Sequence, residues 1–227
     1  MGVKRRAGLG FGALALALAG RAGAHPEISA LGTNRYVTAA ILDGRVDVAD
    51  VLLEGTLASG DERKRLDADG DGRISEAERA AGERRLAAEG PALTVEVDGR
   101  AVTAPFSVSI NLGAEPAAGA APVVIERRAT FERAWPAGAR TLRLLLTRDP
   151  PRPLDAEVYL ALAPGYTLAR GAELVTFRGP RTSALEERAA TFEIVGPPAK
   201  GGKAVVLLGI LALLLAGVVA RARLRKR

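Results

Sequence analysis

The strongest constraint on the fold of this chain is a short acidic segment, RLDADGDGRISEAE, at residues 65–78. Side chains that can offer oxygen recur in it at nearly alternate positions, and a glycine, Gly72, lies between them. Glycine readily adopts a positive φ, so the backbone can reverse there and turn the flanking oxygens toward one point. The spacing therefore predicts a loop whose oxygen atoms converge on one cation, rather than a strand or a continuous helix.

Counted from Asp67, the segment matches the twelve-residue EF-hand calcium loop without a deviation. The predicted metal ligands are Asp67, Asp69, Asp71, Arg73, Ser75 and Glu78. Arg73 would contribute only its backbone carbonyl, and Ser75 would act directly or through water. Glu78 can close the site with both carboxylate oxygens, which favours Ca²⁺ over the smaller Mg²⁺. We therefore predict Ca²⁺ as the cofactor of this loop.

The flanking residues predict a helix on each side of the loop. Ser59 with Glu62, and again Ser75 with Glu78, have the spacing of a capping box at a helix N-terminus. Gly90 followed by Pro91 is a typical helix end. These signals predict an EF-hand helix–loop–helix over residues 59–90, with its loop at 67–78.

The predicted helices lack the apolar faces of a calcium sensor. Leu66 and Leu86 are their only large apolar residues, Met1 is the sole methionine, and no second loop of this kind occurs in the chain. A sensor opens its helix pair to expose a hydrophobic, often Met-rich groove. We therefore expect the ion to hold the two helices together, and we expect Ile74, which in paired hands contacts a sister loop, to be covered by a sheet edge or a second protomer.

Alternating apolar and polar residues dominate the rest of the chain. RYVTAAILDGRVDVADVLLEG holds two apolar runs around Asp43-Gly44, a dipeptide typical of tight hairpin turns. Further strand-like runs with Gly and Pro between them follow Pro91: LTVEVDGRAV, PVVIERRATFERAW, RTLRLLLTRD, DAEVYLALA, ELVTFRG and ATFEIVG. We predict a mainly β, β-sandwich-like domain over residues 25–197 with one inserted EF-hand.

Both ends of the chain carry signals for export and membrane insertion. Residues 1–24 have the cations, apolar run and small residues of a signal peptide. After a linker at 198–203, residues 204–220 form 17 uncharged positions, the lower limit for a membrane-spanning helix, and the tail 221–227 holds five cations. We predict a single-pass type I protein of the cytoplasmic membrane, with its main domain in the periplasm or at the cell exterior and its basic tail in the cytoplasm.

The charge distribution excludes a nucleic-acid-binding function despite a net charge of +6. Eleven of the 32 Lys and Arg residues lie before residue 25 or after residue 199, whereas all 26 Asp and Glu residues lie between them. Residues 25–199 thus carry 21 cations and 26 acids, a net charge of −5. The excess of positive charge comes from the two ends of the chain, where it serves membrane insertion, and not from a surface that would recognise a phosphate backbone.

Catalysis is not expected, because the chain has no cysteine and a single histidine, His25. The nucleophile-base arrangements of hydrolases cannot be assembled from such a set, and we predict no catalytic residues. A carboxylate-based hydrolase would need a pocket with two carboxylates outside the acidic segment. His25 is the predicted mature N-terminus, so its imidazole and the free α-amino group could chelate Cu²⁺ or Ni²⁺ together. The alternative function is therefore a periplasmic or surface transition-metal binding protein.

Several of these features together resemble a bacterial family. They are His25-Pro26 after the signal peptide, Asn34-Arg35-Tyr36 at the start of the first hairpin, the acidic segment, and the β-rich remainder. Residues 25–195 resemble the extracytoplasmic domain that precedes the membrane portion of hydrogenase/urease accessory-type proteins, often described as nickel or cobalt permeases. The transport part of that family has several spans, whereas one follows here. The resemblance implies an accessory domain beside a separately encoded membrane partner, and it does not carry transport over to this chain.

Overall fold

A computed structural model describes residues 31–42, 45–113, 121–132, 138–183 and 186–197. Within these ranges the chain is mainly β, as predicted, with two helices inserted between the second and third strands. The helices are α1 (Gly60–Leu66) and α2 (Glu76–Ala88). The strands are β1 (Thr33–Leu42), β2 (Arg45–Glu54), β3 (Leu93–Val97), β4 (Arg100–Val102), β5 (Ser107–Asn111), β6 (Val123–Phe131), β7 (Ala139–Leu146), β8 (Pro153–Leu162), β9 (Thr167–Arg170), β10 (Leu174–Phe177) and β11 (Arg188–Val195).

The strands form two sheets. One has six strands in the order β10-β8-β1-β2-β6-β5, and the other has five in the order β4-β3-β7-β11-β9. Neighbouring strands are antiparallel except for β1 and β8, which run parallel. The predicted first hairpin is confirmed, because Leu42 of β1 lies opposite Arg45 of β2, although its turn lies outside the described residues. In the β3–β4 hairpin, Asp98 and Gly99 have φ of 51° and 73°, as a tight primed turn requires.

A single apolar cluster, which we call the sandwich core, lies between the two sheets. Along each contributing strand every second side chain is buried, so the inward residues of both sheets meet in one layer. Its fully buried members include Val37, Ile41, Val46, Leu142, Leu144, Phe192 and Ile194. Burial of these side chains, at about 25 cal/mol per Å² of apolar surface, is the main source of stability for the fold.

A second, smaller apolar cluster lies under the helix pair, and we call it the helix core. Leu66 of α1, Leu86 of α2 and Ile74 of the connecting loop pack there against the six-stranded sheet. The sheet residues in this cluster, from β2, the β5 region and β6, are Leu52, Ile110, Leu112, Val123 and Ile125. The helix–loop–helix is thus packed on one end of the six-stranded sheet, near its β5 edge.

A layer of buried charges separates the two apolar clusters. Asp50 of β2 lies opposite Arg127 of β6, and Arg35 of β1 lies diagonally from Asp50, opposite Leu52. All three are on the sheet face that also carries both clusters, and each is at most 4% exposed. Arg35 donates from Nε and Nη2 to both carboxylate oxygens of Asp50, at 2.8 and 2.9 Å. It also donates to the carbonyls of Ala92 and Arg148, which flank β3 and β7 of the other sheet, at 2.9 Å each. The charged layer therefore ties the two sheets together.

Several predicted segments lie outside the described residues. They are the signal peptide at 1–24, His25, the linker at 198–203, the spanning helix at 204–220 and the basic tail at 221–227. Across the described ranges, no helix has the length and apolar character needed to cross a membrane.

Candidate metal centre

The acidic loop brings three of the six predicted ligands together. One carboxylate oxygen from each of Asp67, Asp69 and Asp71 lies within 4.8 Å of the other two. Gly72 has φ of +80°, so the reversal predicted at the sixth loop position is present, and Gly70 has φ of +74°. The three side chains converge because the backbone turns at both glycines.

Backbone N–H groups of the loop orient the three carboxylates. Gly72 N donates to Asp67 Oδ2 at 3.1 Å, Asp71 N donates to Asp69 Oδ1 at 3.1 Å, and Arg73 N donates to Asp71 Oδ1 at 2.7 Å. These bonds leave Asp67 Oδ1 shielded from solvent with no hydrogen-bond partner among the described residues. A shielded carboxylate oxygen beside two other carboxylates is costly unless a cation neutralises it.

Glu78 is not brought together with the aspartates. Its Oε1 accepts from Ala68 N at 2.7 Å, and its Oε2 accepts from both the backbone N and the Oγ of Ser75, at 2.8 Å each. The bonds from Ser75 are the main reason that the pKa of Glu78 lies below its ordinary value, followed by the bond from Ala68 N. Both oxygens therefore already act as anionic acceptors, and bidentate binding of an ion by Glu78 requires that these donors be exchanged for the metal.

Ser75 and Arg73 hold different positions in this loop. Both halves of the capping box predicted for Ser75 and Glu78 are present, since Glu78 N also donates to Ser75 Oγ, at 3.3 Å. Ser75 is therefore engaged in starting α2, and Arg73 is an exposed loop residue. The N-terminus of α2, with Glu76 and Glu78 in its first turn, is acidic as the helix dipole favours.

The capping box predicted at Ser59 is wrong. Ser59 itself has helical dihedral angles, φ −73° and ψ −11°, so its side chain makes no bond to the first turn of α1. Its Oγ donates instead toward the carbonyls of Ala121, at 2.7 Å, and Thr56, at 3.1 Å. The spacing of serine and glutamate was right for a cap, but the contact with the β5–β6 connection takes the hydroxyl.

Two charged residues that fix the helices were not identified from the sequence. Arg63 is fully buried, and it donates to the carbonyls of Leu112, Ala121 and Pro122 at 2.8–3.0 Å. On α2, Glu83 Oε1 accepts from Ile110 N of β5 at 3.0 Å. Arg63 belongs to the charged run DERKR, which is typical of a solvated helix face. The one available signal was its position three residues before Leu66, which places both on the same side of the helix.

Ile74 is covered by the sheet. It is 4% exposed and belongs to the helix core together with Ile110 and Leu112, at the β5 edge. The sheet edge therefore takes the place of a sister loop. Closer to the helix axes, a Cβ built on Gly82 of α2 would lie 2.2 Å from Leu66 Cδ2, so the two helices touch at this glycine.

The donor set of the loop fits a hard cation. It consists of carboxylate, hydroxyl and backbone oxygens, whereas nitrogen and sulfur donors, which transition metals prefer, are absent from residues 67–78. His25, the basis of the alternative transition-metal function, lies outside the described residues. No protein-family model matches this chain, and no curated protein sequence matches it.

Proposed function

We propose that residues 67–78 bind one Ca²⁺ ion whose role is to hold the helix pair in place. The observation that carries the proposal is the convergence of three carboxylates within 4.8 Å, with Asp67 Oδ1 shielded and without a hydrogen-bond partner in the described part of the chain. Asp67, Asp69 and Asp71 would supply carboxylate oxygens and Arg73 its carbonyl. Ser75 would act directly or through water, and Glu78 would complete the site.

The packing of the helices supports a structural ion over a signalling one. A sensor needs an apolar groove between its helices that calcium can expose. Here Leu66, Ile74 and Leu86 are all at most 5% exposed, and they are already packed against the six-stranded sheet. Opening the helix pair would therefore remove it from its own domain and would not present a surface to a partner.

Thermal unfolding of the full-length protein during a calcium titration tests this proposal. Saturation with Ca²⁺ should raise the melting temperature, because an ion at about one hundred times its Kd stabilises the folded state by about 2.7 kcal/mol. In Asp67→Ala and Glu78→Gln the calcium-dependent rise should be lost. Glu76→Gln is the matched control, since Glu76 belongs to the same twelve-residue segment but is an exposed, non-ligand residue in the first turn of α2.

The variants also define the results that would reject the site. If Asp67→Ala still melts at a temperature that rises with Ca²⁺ as in the parent, the ion binds elsewhere. If Mg²⁺ stabilises the parent as strongly as Ca²⁺ at equal concentration, the predicted bidentate role of Glu78 is wrong, because that contact is what should favour the larger ion.

We further propose that the domain works outside the cytoplasmic membrane as an accessory module of a membrane protein, held there by residues 204–220. The net charge of −5 between residues 25 and 199 and the cations at both ends support this orientation. The resemblance to the domain of accessory-type metal permeases supports a membrane-protein partner. Cell fractionation with an alkaline carbonate wash, which strips proteins bound only through a partner, tests the anchor. The full-length chain should resist the wash and a chain that ends at residue 197 should not; resistance of the shortened chain would contradict the anchor.

A further inference from the structure

A cavity of about 400 Å³ lies where the helix pair meets the charged layer. Its floor is formed by buried charged residues of the six-stranded sheet, Arg35, Glu54 and Arg127. Its rim includes Arg65 of α1 and Arg148 after β7, whose side chains are 61% and 52% exposed. None of the predicted calcium ligands lines it. A volume of this size suits a small organic molecule.

Arg127, on the cavity floor, is a buried cation with unused hydrogen-bond donors. It lies opposite Asp50 across β2 and β6, but both oxygens of Asp50 accept from Arg35. Nε and Nη1 of Arg127 are shielded from solvent and have no hydrogen-bond partner among the residues that the structure describes. Burial lowers the pKa of this guanidinium, yet arginine stays protonated in proteins. The cavity floor thus carries a guanidinium with two donor atoms that no described residue accepts from.

Glu54, further along β2 on the same face, is a buried acid with an unused hydrogen-bond acceptor. It is 4% exposed, and its Oε2 has no hydrogen-bond partner within the described ranges. It stands four residues from Asp50, the residue opposite Arg127, which corresponds to about 13 Å along the strand. The side chains of Leu52 and Ile125, which also line the cavity, are opposite each other on the strands between these two levels. One cavity thus has a guanidinium and a carboxyl group with unused hydrogen-bonding atoms at its two ends, and an apolar middle.

The remaining charged residues of the cavity wall are satisfied within the protein. Their ion pairs are Arg85 with Glu62 and Glu89, Arg65 with Glu62, Arg148 with Glu89, and Asp149 with Arg181. Arg127 and Glu54 are therefore the groups left for a ligand, and they have opposite charges above about pH 7, where the Glu54 carboxyl is ionised because its pKa is about 7.

We propose that this cavity binds a small zwitterionic molecule, with its carboxylate at Arg127, its amine at Glu54 and an aliphatic stretch against Leu52 and Ile125. A carboxylate accepts charge-assisted hydrogen bonds from a guanidinium, and Nε and Nη1 of Arg127 are the donors left without an acceptor among the described residues. A dianion would bring its second charge toward Glu54, and an amine alone would leave Arg127 unpaired. The class of ligand is that of ω-amino acids, amino acids with a long side chain, or short peptides.

Binding of three molecules of equal length to the full-length protein tests the proposal. The probes are ε-aminocaproate, adipate and hexylamine, which carry a carboxylate and an amine, two carboxylates, and one amine. Isothermal titration calorimetry and the shift in melting temperature should show the tightest binding for ε-aminocaproate, at least tenfold weaker binding for adipate, and none for hexylamine.

Substitutions on the cavity floor assign each end of the ligand. Arg127→Met should abolish binding of ε-aminocaproate. Arg127→Lys is a second variant for the case that the methionine variant does not fold; it keeps the positive charge and should weaken the binding at least tenfold. Glu54→Gln should remove the preference for ε-aminocaproate over adipate. Arg128→Met is the control, because Arg128 points to the other face of β6 and pairs there with Glu126.

Three results would overturn the proposal. If no probe binds to the folded parent protein, the free groups are hydrated internally and the cavity is not a ligand site. If binding of ε-aminocaproate is the same in Arg127→Lys or Arg127→Met as in the parent, Arg127 does not hold the carboxylate. If adipate binds as tightly as ε-aminocaproate, Glu54 does not select an amine.

Discussion

At the scale of single residues, Gly82 shows how closely the helix pair is packed. Glycine in the interior of an exposed helix usually destabilises it by about 1 kcal/mol relative to alanine. Gly82 is buried, however, and a Cβ there would lie 2.2 Å from Leu66 Cδ2 and 3.2 Å from Ile110 Cδ1. Leu66 is 1% exposed, so its side chain has little space into which it can move. The glycine allows α2 to approach both α1 and the sheet.

We therefore expect Gly82→Ala to lower the free energy of unfolding by about 1–3 kcal/mol, the usual cost of overpacking, despite the better helix propensity of alanine. Urea denaturation measures this. Ala81→Gly, at the exposed neighbouring position of the same helix, is the matched control and should cost about 1 kcal/mol through propensity alone. An increase in stability for Gly82→Ala would show that Leu66 yields and that the contact does not constrain the helices.

At the scale of secondary-structure elements, α1 depends on its surroundings. It has seven residues, too few for an isolated helix to be stable in water. Its position is set by Leu66 in the helix core and by Arg63, whose guanidinium meets the carbonyls of Leu112, Ala121 and Pro122 where the chain leaves β5 and enters β6. Burial lowers the pKa of Arg63, and it is still a charged donor because arginine does not lose its proton.

Replacing Arg63 by methionine keeps much of the side-chain volume but removes the side-chain donor of the Leu112 and Pro122 carbonyls, whereas the Ala121 carbonyl keeps the Ser59 hydroxyl. Since an unsatisfied buried acceptor costs about 1–3 kcal/mol, we expect Arg63→Met to lower the free energy of unfolding by at least about 2 kcal/mol. Circular dichroism during thermal and urea unfolding measures the change. Lys64→Met, which removes an exposed cation from the same helix, should have a free energy of unfolding within about 0.5 kcal/mol of the parent's. If both variants lost the same free energy of unfolding, the buried hydrogen bonds of Arg63 would not stabilise the fold.

At the scale of the whole molecule, the ionisation of Glu54 links stability to pH. Burial raises the pKa of Glu54 to about 7, and the nearby Glu62 adds to the rise, while Arg65 and Arg127 oppose it. In the unfolded chain the pKa returns to its ordinary value of 4.5. Between these two values the folded state keeps a proton that the unfolded state has lost. The contribution of Glu54 is therefore fully present below pH 4.5 and is lost as the pH rises through about 7.

The comparison of the parent with Glu54→Gln across this range isolates the effect. Since one pKa unit corresponds to about 1.4 kcal/mol, the stability of the parent relative to the variant should fall by between about 1 and 3 kcal/mol from about pH 4 to about pH 8. Urea denaturation at each pH provides the free energies. Glu132→Gln, at an exposed position, should show no such trend, and a constant difference between the parent and Glu54→Gln would mean that Glu54 titrates normally in the folded state.

Local patterns predicted much of the fold and part of the metal centre. Period-two alternation marks the strands, and Asp98-Gly99 forms the turn that such dipeptides favour. The three aspartates converge because they are neighbours in the chain, whereas Glu78 is directed by its capping bonds to Ser75 and by Ala68. Ser59 fails as a cap because a segment about 60 residues away takes its hydroxyl.

Long-range pairing was beyond prediction from the sequence. The parallel contact of β1 with β8 joins segments separated by more than 100 residues, and no local pattern encodes it. The burial of Arg35 and Asp50 was partly predictable from the sequence, because each lies two residues from an inward-facing valine on its strand, Val37 or Val48. The hydrogen bonds of Arg35 to the carbonyls of Ala92 and Arg148 were not predictable, because they depend on how the two sheets meet.

The charged layer between the sandwich core and the helix core has a consequence for how the molecule opens. Arg35, Asp50 and Arg127 stand between two apolar clusters that share no residue. We therefore expect that a loss of packing under the helices does not propagate as a loss of packing between the sheets. We expect the helix–loop–helix to behave as a separate cooperative unit that exchanges its amide hydrogens by local opening at a lower free energy than the strands beneath it.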